Sequence, residues 1–264
     1  MLSKKQLREI HNFAVGTATA AGKILLDKSR TRHKISLKGR VDLVTDADLA
    51  SEKYILNAIV ERFPDHSILA EEGSSVDNGS DFKWVIDPLD GTTNFAHNFP
   101  FYCVSIGCEY RGEVIIGAIF DPERDEMFEA IKSGGARLNG KIIKVTNQSR
   151  LERSLLATGF PYDIGTSSED NLKYFRRFIK RARAIRRAGS AALDLAYLAC
   201  GRFDGFWELK LHPWDTAAGV LIVREAGGRV TAFDGSRYSI YDKYLLASNG
   251  RIHSQMKDIL VGNF

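Results

Sequence analysis

WVIDPLDGTTNF, residues 84–95, places two carboxylates directly after a short apolar run. The apolar residues are typical of a short buried strand, which Asp87 and Pro88 bring to an end. Because Asp87 and Asp90 are three residues apart at that strand end, they meet in a small volume where their repulsion favours a bound cation. Mg²⁺ is the natural candidate, since it takes hard oxygen ligands and leaves room for water and a phosphate group.

The residues between and after the two aspartates extend this prediction. Pro88 fixes the turn, so the carbonyl of Leu89 is free to point at the same ion. Gly91, Thr92 and Thr93 resemble a helix start, where backbone N–H groups bind phosphate and a threonine hydroxyl orients water. The alternative is an Asp-Pro turn whose second aspartate caps a helix, and that interpretation would be preferred for an isolated DPxD.

Further carboxylates are candidates for the same site. Glu71 follows the apolar run at residues 68–70, and the alternative is a solvated pair with Glu72 at the start of a loop. Asp42, Asp46 and Asp48 pose the same choice between a site role and a structural one, and Asp46 is either a metal ligand or the cap of a second helix. Asp215, in HPWDTAAG (residues 212–219), lies at a helix N-terminus among small residues that allow close backbone approach, and taken alone it would be a helix cap.

Apolar periodicity predicts an α+β protein. Ser3 and Gln6 form a capping-box pattern ahead of a long amphipathic helix, and a second helix begins near Asp46 or Asp48 and stops before Pro64. A strand pair is expected at residues 35–37 and 43, and a largely antiparallel sheet at 84–86, 103–109, 114–120 and 127–131. After residue 150 strands and helices alternate, at 155–158, 171–180, 184–185 and 191–199, which predicts a second sheet between helices. We therefore divide the chain into residues 1–150 and 151–264, packed as one continuous unit.

Composition excludes several classes of protein. The 264 residues carry 37 basic and 33 acidic side chains, and a formal charge of +4 is too small and too mixed along the chain to indicate a nucleic-acid binder by itself. Cys103, Cys108 and Cys200 lack CxxC spacing, so we expect buried reduced thiols. Neither a signal peptide nor a membrane-spanning run is present in the sequence, which predicts a cytoplasmic protein.

The glutamate pair, DPLDGTTNF and WDTAAG, in this order and at these separations, resemble the inositol monophosphatase family of lithium-sensitive, magnesium-dependent phosphatases. The resemblance covers nearly the whole chain and is closest to the bacterial inositol-1-monophosphatase type, through ATGFP (residues 157–161) and GSAALD (residues 189–194). It implies a layered α-β-α-β-α sandwich, assembled as a homodimer. It also implies hydrolysis of a phosphate monoester by direct attack of an activated water, without a covalent intermediate.

The same resemblance assigns roles to individual residues. Two or three Mg²⁺ ions are expected at Glu71, Asp87, Leu89, Asp90 and Asp215, with Asp46 as a further candidate. The catalytic residues are expected to be Glu71, Thr92 and Asp90. The residues expected to meet the phosphate or the alcohol are Glu71, Asp90, Gly91, Thr92, Thr93, Gly189, Ser190, Ala191, Glu208 and Asp215. Lys38 or Arg40 matches the family's basic residue ahead of Asp46 only loosely.

The substrate and the basic segment leave alternatives open. Myo-inositol 1-phosphate is the expected substrate. The alternative activities are those of a fructose-1,6-bisphosphatase or a dual-specificity sugar phosphatase, and glycerol phosphate is an alternative substrate. Eight cations crowd residues 173–187, which is most simply a solvated helix face. That segment would also suit a second substrate phosphate, with Arg187 as the first residue to test, or binding of RNA or a transcription complex.

Overall fold

The structure is a computed structural model that describes residues 2–30, 35–37 and 43–262. The predictions made for Lys38, Arg40 and Asp42 lie outside the described residues. In the part of the chain that is described, no helix is both long enough and apolar enough to cross a membrane.

The helices and strands follow the chain in an order close to the one expected. The helices are α1 (Lys4–Ser29), α2 (Asp46–Arg62), α3 (Thr92–Ala96), α4 (Leu172–Ile179), α5 (Ala191–Ala199), α6 (Pro213–Glu225) and α7 (His253–Val261), with a short 3₁₀ helix at Leu151–Arg153. The strands are β1 (Ile35–Leu37), β2 (Leu43–Thr45), β3 (Ser67–Ala70), β4 (Phe82–Asp90), β5 (Cys103–Tyr110), β6 (Glu113–Asp121), β7 (Glu126–Ile131), β8 (Ala136–Leu138), β9 (Lys141–Ile142), β10 (Leu155–Thr158), β11 (Ala184–Arg186), β12 (Gly205–Leu209), β13 (Arg229–Thr231) and β14 (Tyr244–Ser248).

Two large sheets form the framework. The first has the order β3-β4-β5-β6-β7-β8-β9, and all of its pairs are antiparallel except β3 with β4. The second has the order β11-β10-β12-β14-β13, in which β10 runs parallel to both of its neighbours and β14 runs antiparallel to both of its own. Strands β1 and β2 form a separate antiparallel pair. The expected, largely antiparallel first sheet and the expected second sheet are therefore confirmed.

The layers follow from which face each strand residue buries. Successive strand residues point to opposite faces, so Trp84 and Ile86 join the core under α1 and α2, while Val85 joins the core around α5 and α6. In the second sheet Phe206 faces α5 and α6, and Trp207 faces α4 and α7. Helices α5 and α6 are thus shared between the sheets, which confirms the α-β-α-β-α sandwich.

Small residues set the distance between α6 and the first sheet. A Cβ added at Gly107 would lie 2.8 Å from the Cβ of Ala217, and one at Gly117 would lie 2.7 Å from the carbonyl oxygen of Ala218. The helix backbone therefore rests directly on β5 and β6. This contact explains the small residues that follow Asp215, and it brings the N-terminus of α6 to the end of β4.

One local prediction was wrong, and one of the alternatives left open is excluded. The strand expected to end at Asp87 continues to Asp90, because a register irregularity between these residues accommodates Pro88, which has no N–H to donate to the sheet. Asp46 does not cap α2, because Thr45 is the N-cap and its hydroxyl accepts from the Ala47 N–H. The capping box of Ser3 and Gln6 is confirmed.

Candidate active site

The end of β4 delivers two carboxylates into one crevice. Asp87 is 2% exposed, and its Oδ1 accepts from the Leu89 N–H at 3.0 Å. Gly91 follows with φ of 101°, and a Cβ there would lie 2.9 Å from the carbonyl oxygen of Phe101. Only glycine suits that left-handed, crowded position, which turns the chain into α3 directly after Asp90.

Asp90 joins the two halves of the chain. Its Oδ2 accepts from the Ser190 hydroxyl at 2.7 Å and from the Ala192 N–H at 2.6 Å, so the carboxylate lies at the N-terminus of α5. Burial raises the pKa of Asp90 to about 6, although the hydrogen bonds from Ser190 and Ala192 oppose that rise. The residues expected to bind the alcohol, Gly189, Ser190 and Ala191, are therefore fixed next to the DPLD turn.

Asp215 approaches the same place from α6. It is the third residue of that helix, and its Oδ2 accepts from the His212 N–H at 2.7 Å. Burial raises the pKa of Asp215 well above its ordinary value, as do the nearby charges of Asp90 and Glu71. The carboxylate thus closes a capping box with one oxygen and faces other carboxylates across the crevice.

Electrostatic crowding is greatest at Asp87. Its pKa is raised well above the ordinary value by burial, then by Glu71, Asp90 and Asp215 in turn. All four carboxylates line one cavity of about 170 Å³, together with the Leu89 and Thr92 positions. The structure therefore brings together every metal ligand expected from the sequence except Asp46.

Four carboxylates and a backbone carbonyl suit a hard divalent cation. Within residues 2–30, 35–37 and 43–262, no three Asp, Glu, His or Cys side chains already form a group that would hold an ion. Burial and the neighbouring carboxylates raise the pKa of Asp87, Asp90 and Asp215, so negative charge on the group is costly. The all-oxygen donor set fits Mg²⁺, because a divalent cation offsets that repulsion.

Asp46 lies apart from this group. It is the first residue of α2, its side chain is 41% exposed, and it is ion-paired with Lys28. The cavity lining does not include it. The expected metal role of Asp46 therefore stays a prediction.

Asp48 is a site residue for which the sequence left the choice between a site role and a structural one open. The Thr92 hydroxyl lies 3.0 Å from Asp48 Oδ1 and 3.0 Å from the carbonyl oxygen of Leu89. Asp48 is fully buried, and its Oδ2 accepts from both the N–H and the hydroxyl of Thr45. Its carboxylate thus accepts a hydrogen bond from the Thr92 hydroxyl and orients the lone pairs of that oxygen.

A second cavity of about 140 Å³ adjoins the first. Asp90 and Asp215 line both cavities, and so does Tyr162, which is 59% exposed. The expected alcohol-binding residues Gly189, Ser190, Ala191 and Glu208 line the second cavity, as does Thr93. The carboxylate-rich crevice therefore opens onto a polar space of the size of a small alcohol.

Gly159 sets the position of Glu208 in this second cavity. The Gly159 N–H donates to the Glu208 carboxylate, while burial raises the pKa of Glu208 to about 8. A Cβ at Gly159 would overlap the Glu208 carboxyl group. The ATGFP motif thus needs its glycine to leave room for this side chain.

The two histidines beside the motifs have structural contacts. Nδ1 of His97 lies 2.8 Å from the Thr93 carbonyl oxygen, so it donates a hydrogen bond that closes α3. His212 stacks on Trp214, with 4.8 Å between ring centroids, at the wall of the first cavity. Both contacts are of the kind expected for structural residues.

A five-layered sandwich with a carboxylate cavity beside a polar one defines the class, which is that of metal-dependent phosphatases acting on phosphate monoesters. The family model described as "Inositol monophosphatase family" matches residues 6–262, and the chain belongs to this family. It is an inositol-1-monophosphatase-like phosphoric monoester hydrolase.

Individual relatives agree with this assignment. The inositol-1-monophosphatase of Synechocystis is 44% identical over 98% of this chain and 91% of its own. The Nus factor SuhB of Pseudomonas aeruginosa is 43% identical over 90% of each chain. The solved inositol monophosphatase of Anabaena (Nostoc) is 42% identical with a TM-score of 0.89, covering 97% of this chain and 96% of that one.

Proposed function

We propose that the protein hydrolyses myo-inositol 1-phosphate to inositol and phosphate with the help of Mg²⁺. The observation that carries the proposal is the shared cavity of Glu71, Asp87, Asp90 and Asp215, placed directly beside the Thr92 hydroxyl. The Synechocystis inositol-1-monophosphatase, at 44% identity, supports the choice of substrate.

Four carboxylates and one carbonyl would hold two or three Mg²⁺ ions, namely those of Glu71, Asp87, Asp90, Asp215 and Leu89. When bound, Mg²⁺ supplies the positive charge that acidifies a water and stabilises negative charge on the phosphate oxygens. Asp90 contributes further by holding the N-terminus of α5 through Ser190 and Ala192. This contact keeps Gly189, Ser190 and Ala191 next to the reacting phosphate.

Thr92 and Glu71 orient the attacking water. Because the Thr92 hydroxyl donates its hydrogen bond to Asp48, its lone pairs are available to accept a hydrogen bond from that water. Glu71 is the nearby carboxylate that would accept the proton released during attack. The water reaches the phosphorus in line with the leaving oxygen, the P–O bond to the alcohol breaks, and that oxygen takes a proton from a second water to leave as the alcohol.

The phosphate and the alcohol occupy the two adjoining cavities. Gly91, Thr92 and Thr93, at the start of α3, meet the phosphate oxygens. Gly189, Ser190, Ala191 and Glu208 meet the hydroxyl groups of the alcohol, and Glu208 accepts hydrogen bonds from them. Placing the scissile bond at the junction puts it next to Asp90 and Asp215, which line both cavities.

Phosphate release from a set of esters tests the substrate. We expect Mg²⁺-dependent release from myo-inositol 1-phosphate, inhibition by Li⁺, and slower release from fructose 1,6-bisphosphate and glycerol phosphate. Faster phosphate release from fructose 1,6-bisphosphate would favour the alternative activity, that of a fructose-1,6-bisphosphatase. Equal release in excess EDTA would contradict the metal-dependent reaction.

A second candidate function rests on the basic segment, residues 173–187. Seven of its eight cations are exposed, and the one cation that is not, Arg177, donates to the Ile259 carbonyl. Six of them, namely Lys173, Arg176, Lys180, Arg183, Arg186 and Arg187, make no salt bridge with another described residue. The 43% identity with a Nus factor supports a role of this surface in transcription, through binding of RNA.

An experiment that removes positive charges separates this second function from catalysis. Lys173, Arg176 and Lys180 are changed to serine, and the control changes three exposed cations of α1 instead. Those control positions are Lys4, Lys5 and Arg8. We expect the first variant alone to lose affinity for a 30-nucleotide single-stranded RNA at 100 mM salt, with phosphate release unchanged in both. Equal RNA binding by both variants would exclude the segment as an RNA surface.

The homodimer and the cytoplasmic location also remain proposals. The bacterial relatives at 40–44% identity support the location. Sedimentation of the purified chain tests the dimer directly, and a monomer at micromolar concentration would contradict it.

A further inference from the structure

Asp194 is a buried carboxyl group that the proposed mechanism does not use. It lies on α5, one turn after Ser190, and is 1% exposed. Its Oδ1 is enclosed and has no hydrogen-bond partner in the described part of the chain. Buried polar atoms are nearly always satisfied, so an unsatisfied one in a native site calls for an explanation.

The side chain of Asp194 belongs to the wall of the second cavity. That cavity of about 140 Å³ is lined by Asp194 together with Glu208, Ser190 and Arg187. Burial raises the pKa of Asp194 well above its ordinary value, as do the nearby Glu208 and Asp90, whereas Arg187 opposes the rise. A carboxyl group without a protein partner thus stands beside the glutamate already assigned to the alcohol.

We propose that Asp194 is a specificity-determining residue, whose carboxyl group binds a hydroxyl of the substrate's alcohol next to Glu208. The inference rests on the proposed phosphatase function and narrows its substrate to monophosphate esters of polyhydroxylated alcohols. Two neighbouring carboxyl groups match two neighbouring hydroxyls, because each hydroxyl donates one hydrogen bond and a carboxyl oxygen accepts it. Occupation by such an alcohol satisfies the group that the protein leaves unpaired.

The interior of the second cavity offers no full positive charge to a second phosphate. Asp194 and Glu208 are both buried, whereas Arg187, the one cation of the described lining, is exposed at the rim. A second phosphate dianion in the interior would oppose ionisation of both carboxyl groups and would have only the guanidinium at the rim as a counter-charge. Hydroxyl groups need no counter-charge, which favours an inositol or sugar monophosphate over a bisphosphate.

The test compares Asp194→Asn with wild type on three substrates in the presence of Mg²⁺. Myo-inositol 1-phosphate carries the hydroxyls, fructose 1,6-bisphosphate carries a second phosphate, and p-nitrophenyl phosphate has neither. We expect the KM for inositol 1-phosphate to rise roughly ten-fold with kcat changed less than three-fold, as for loss of one hydrogen bond to a carboxyl group. KM and kcat for p-nitrophenyl phosphate should stay within two-fold of the wild-type values. The preference for inositol 1-phosphate over fructose 1,6-bisphosphate should fall.

Asp204→Asn is the matched control. Asp204 is likewise buried in the second half of the chain, but its oxygens accept from the Thr146 hydroxyl and the Leu155 N–H. Its replacement should lower the melting temperature and leave the substrate preference unchanged. Asp194→Asn should melt at or above the wild-type temperature, because no protein hydrogen bond is lost.

Three results would overturn the inference. One is an equal loss on all three substrates, another is an unchanged KM for inositol 1-phosphate, and the third is a lowered melting temperature, which would make Asp194 structural. A wild-type protein that releases phosphate from none of the esters would overturn the proposed function as well. If the wild type is active and Asp194→Asn has the same KM and substrate preference, only the role of Asp194 is overturned.

Discussion

Replacing Asp48 by asparagine isolates the group that orients Thr92. Asp48 Oδ2 accepts two hydrogen bonds from Thr45, so the amide oxygen of the asparagine must take that place to keep the cap of α2. Its NH₂ then faces the Thr92 hydroxyl, which lies 3.0 Å from Oδ1 in the native chain. The Thr92 hydroxyl then donates to the Leu89 carbonyl oxygen, so α3 stays in place. The amide donor occupies one of the two lone pairs of the Thr92 oxygen and competes with the attacking water for that oxygen.

The expected loss in kcat is about 10²-fold, the lower end of what a positioned proton-transfer group contributes, which is about 2.7 kcal/mol in the barrier. Thr92→Val should cost a similar factor, and the double variant no more than either single one, because both act through one water. Phosphate release under saturating Mg²⁺ measures each rate. Glu61→Gln, an exposed carboxylate on the same helix, is the control and should keep full activity. Independent, multiplying losses in the double variant would refute the coupled pair.

Three further outcomes are expected. Gly159→Ala should raise KM for inositol 1-phosphate roughly ten-fold, because the added Cβ displaces Glu208. Gly165→Ala is the control and should leave KM unchanged, because its Cβ meets nothing within 4 Å. Equal KM values for the two variants would contradict this prediction. Gly117→Ala should lower the free energy of unfolding by about 1–3 kcal/mol through overlap with α6, while Gly16→Ala, with open space in α1, should raise it by up to ~1 kcal/mol; denaturant unfolding distinguishes the two signs. Burial lowers the pKa of His253 to about 4. The folded state therefore disfavours its protonated form, and about 2–3 kcal/mol of stability should be lost as pH falls from 6.5 to 4. His253→Asn should lack that part of the acid slope, and an identical slope in both proteins would contradict the prediction.

Local sequence signals predicted most elements of the fold. Alternating apolar runs separated by turn residues located β5, β6 and β7, and the capping box of Ser3 located α1, because these features depend on neighbouring residues. The end of β4 was misplaced, since tertiary pairing with β5 carries the strand past Pro88 as far as Asp90. A proline usually ends a strand, and only the partner strand reveals a register shift that tolerates it.

The site shows the same difference between local signals, which the sequence reveals, and contacts between distant residues, which it does not. Asp87, Asp90 and Asp215 were predicted because their motifs are local and specific. The role of Asp48 was left open, because an aspartate in the first turn of a helix is most simply a capping residue, and its contact with Thr92 spans 44 positions of the chain. Asp194 lay within a recognised motif, yet its missing partner is visible only after folding.

Phosphate release from myo-inositol 1-phosphate as a function of Mg²⁺, in wild type and Asp87→Asn, tests the central claim most directly. Asp87 faces Glu71, Asp90 and Asp215, and its replacement removes charge from the middle of the group without removing volume. We predict saturable Mg²⁺ dependence in the wild type, no release in EDTA, and a loss of at least 10²-fold in a variant that folds as stably as the wild type. Full release in EDTA, or an unchanged rate in Asp87→Asn, would contradict the account.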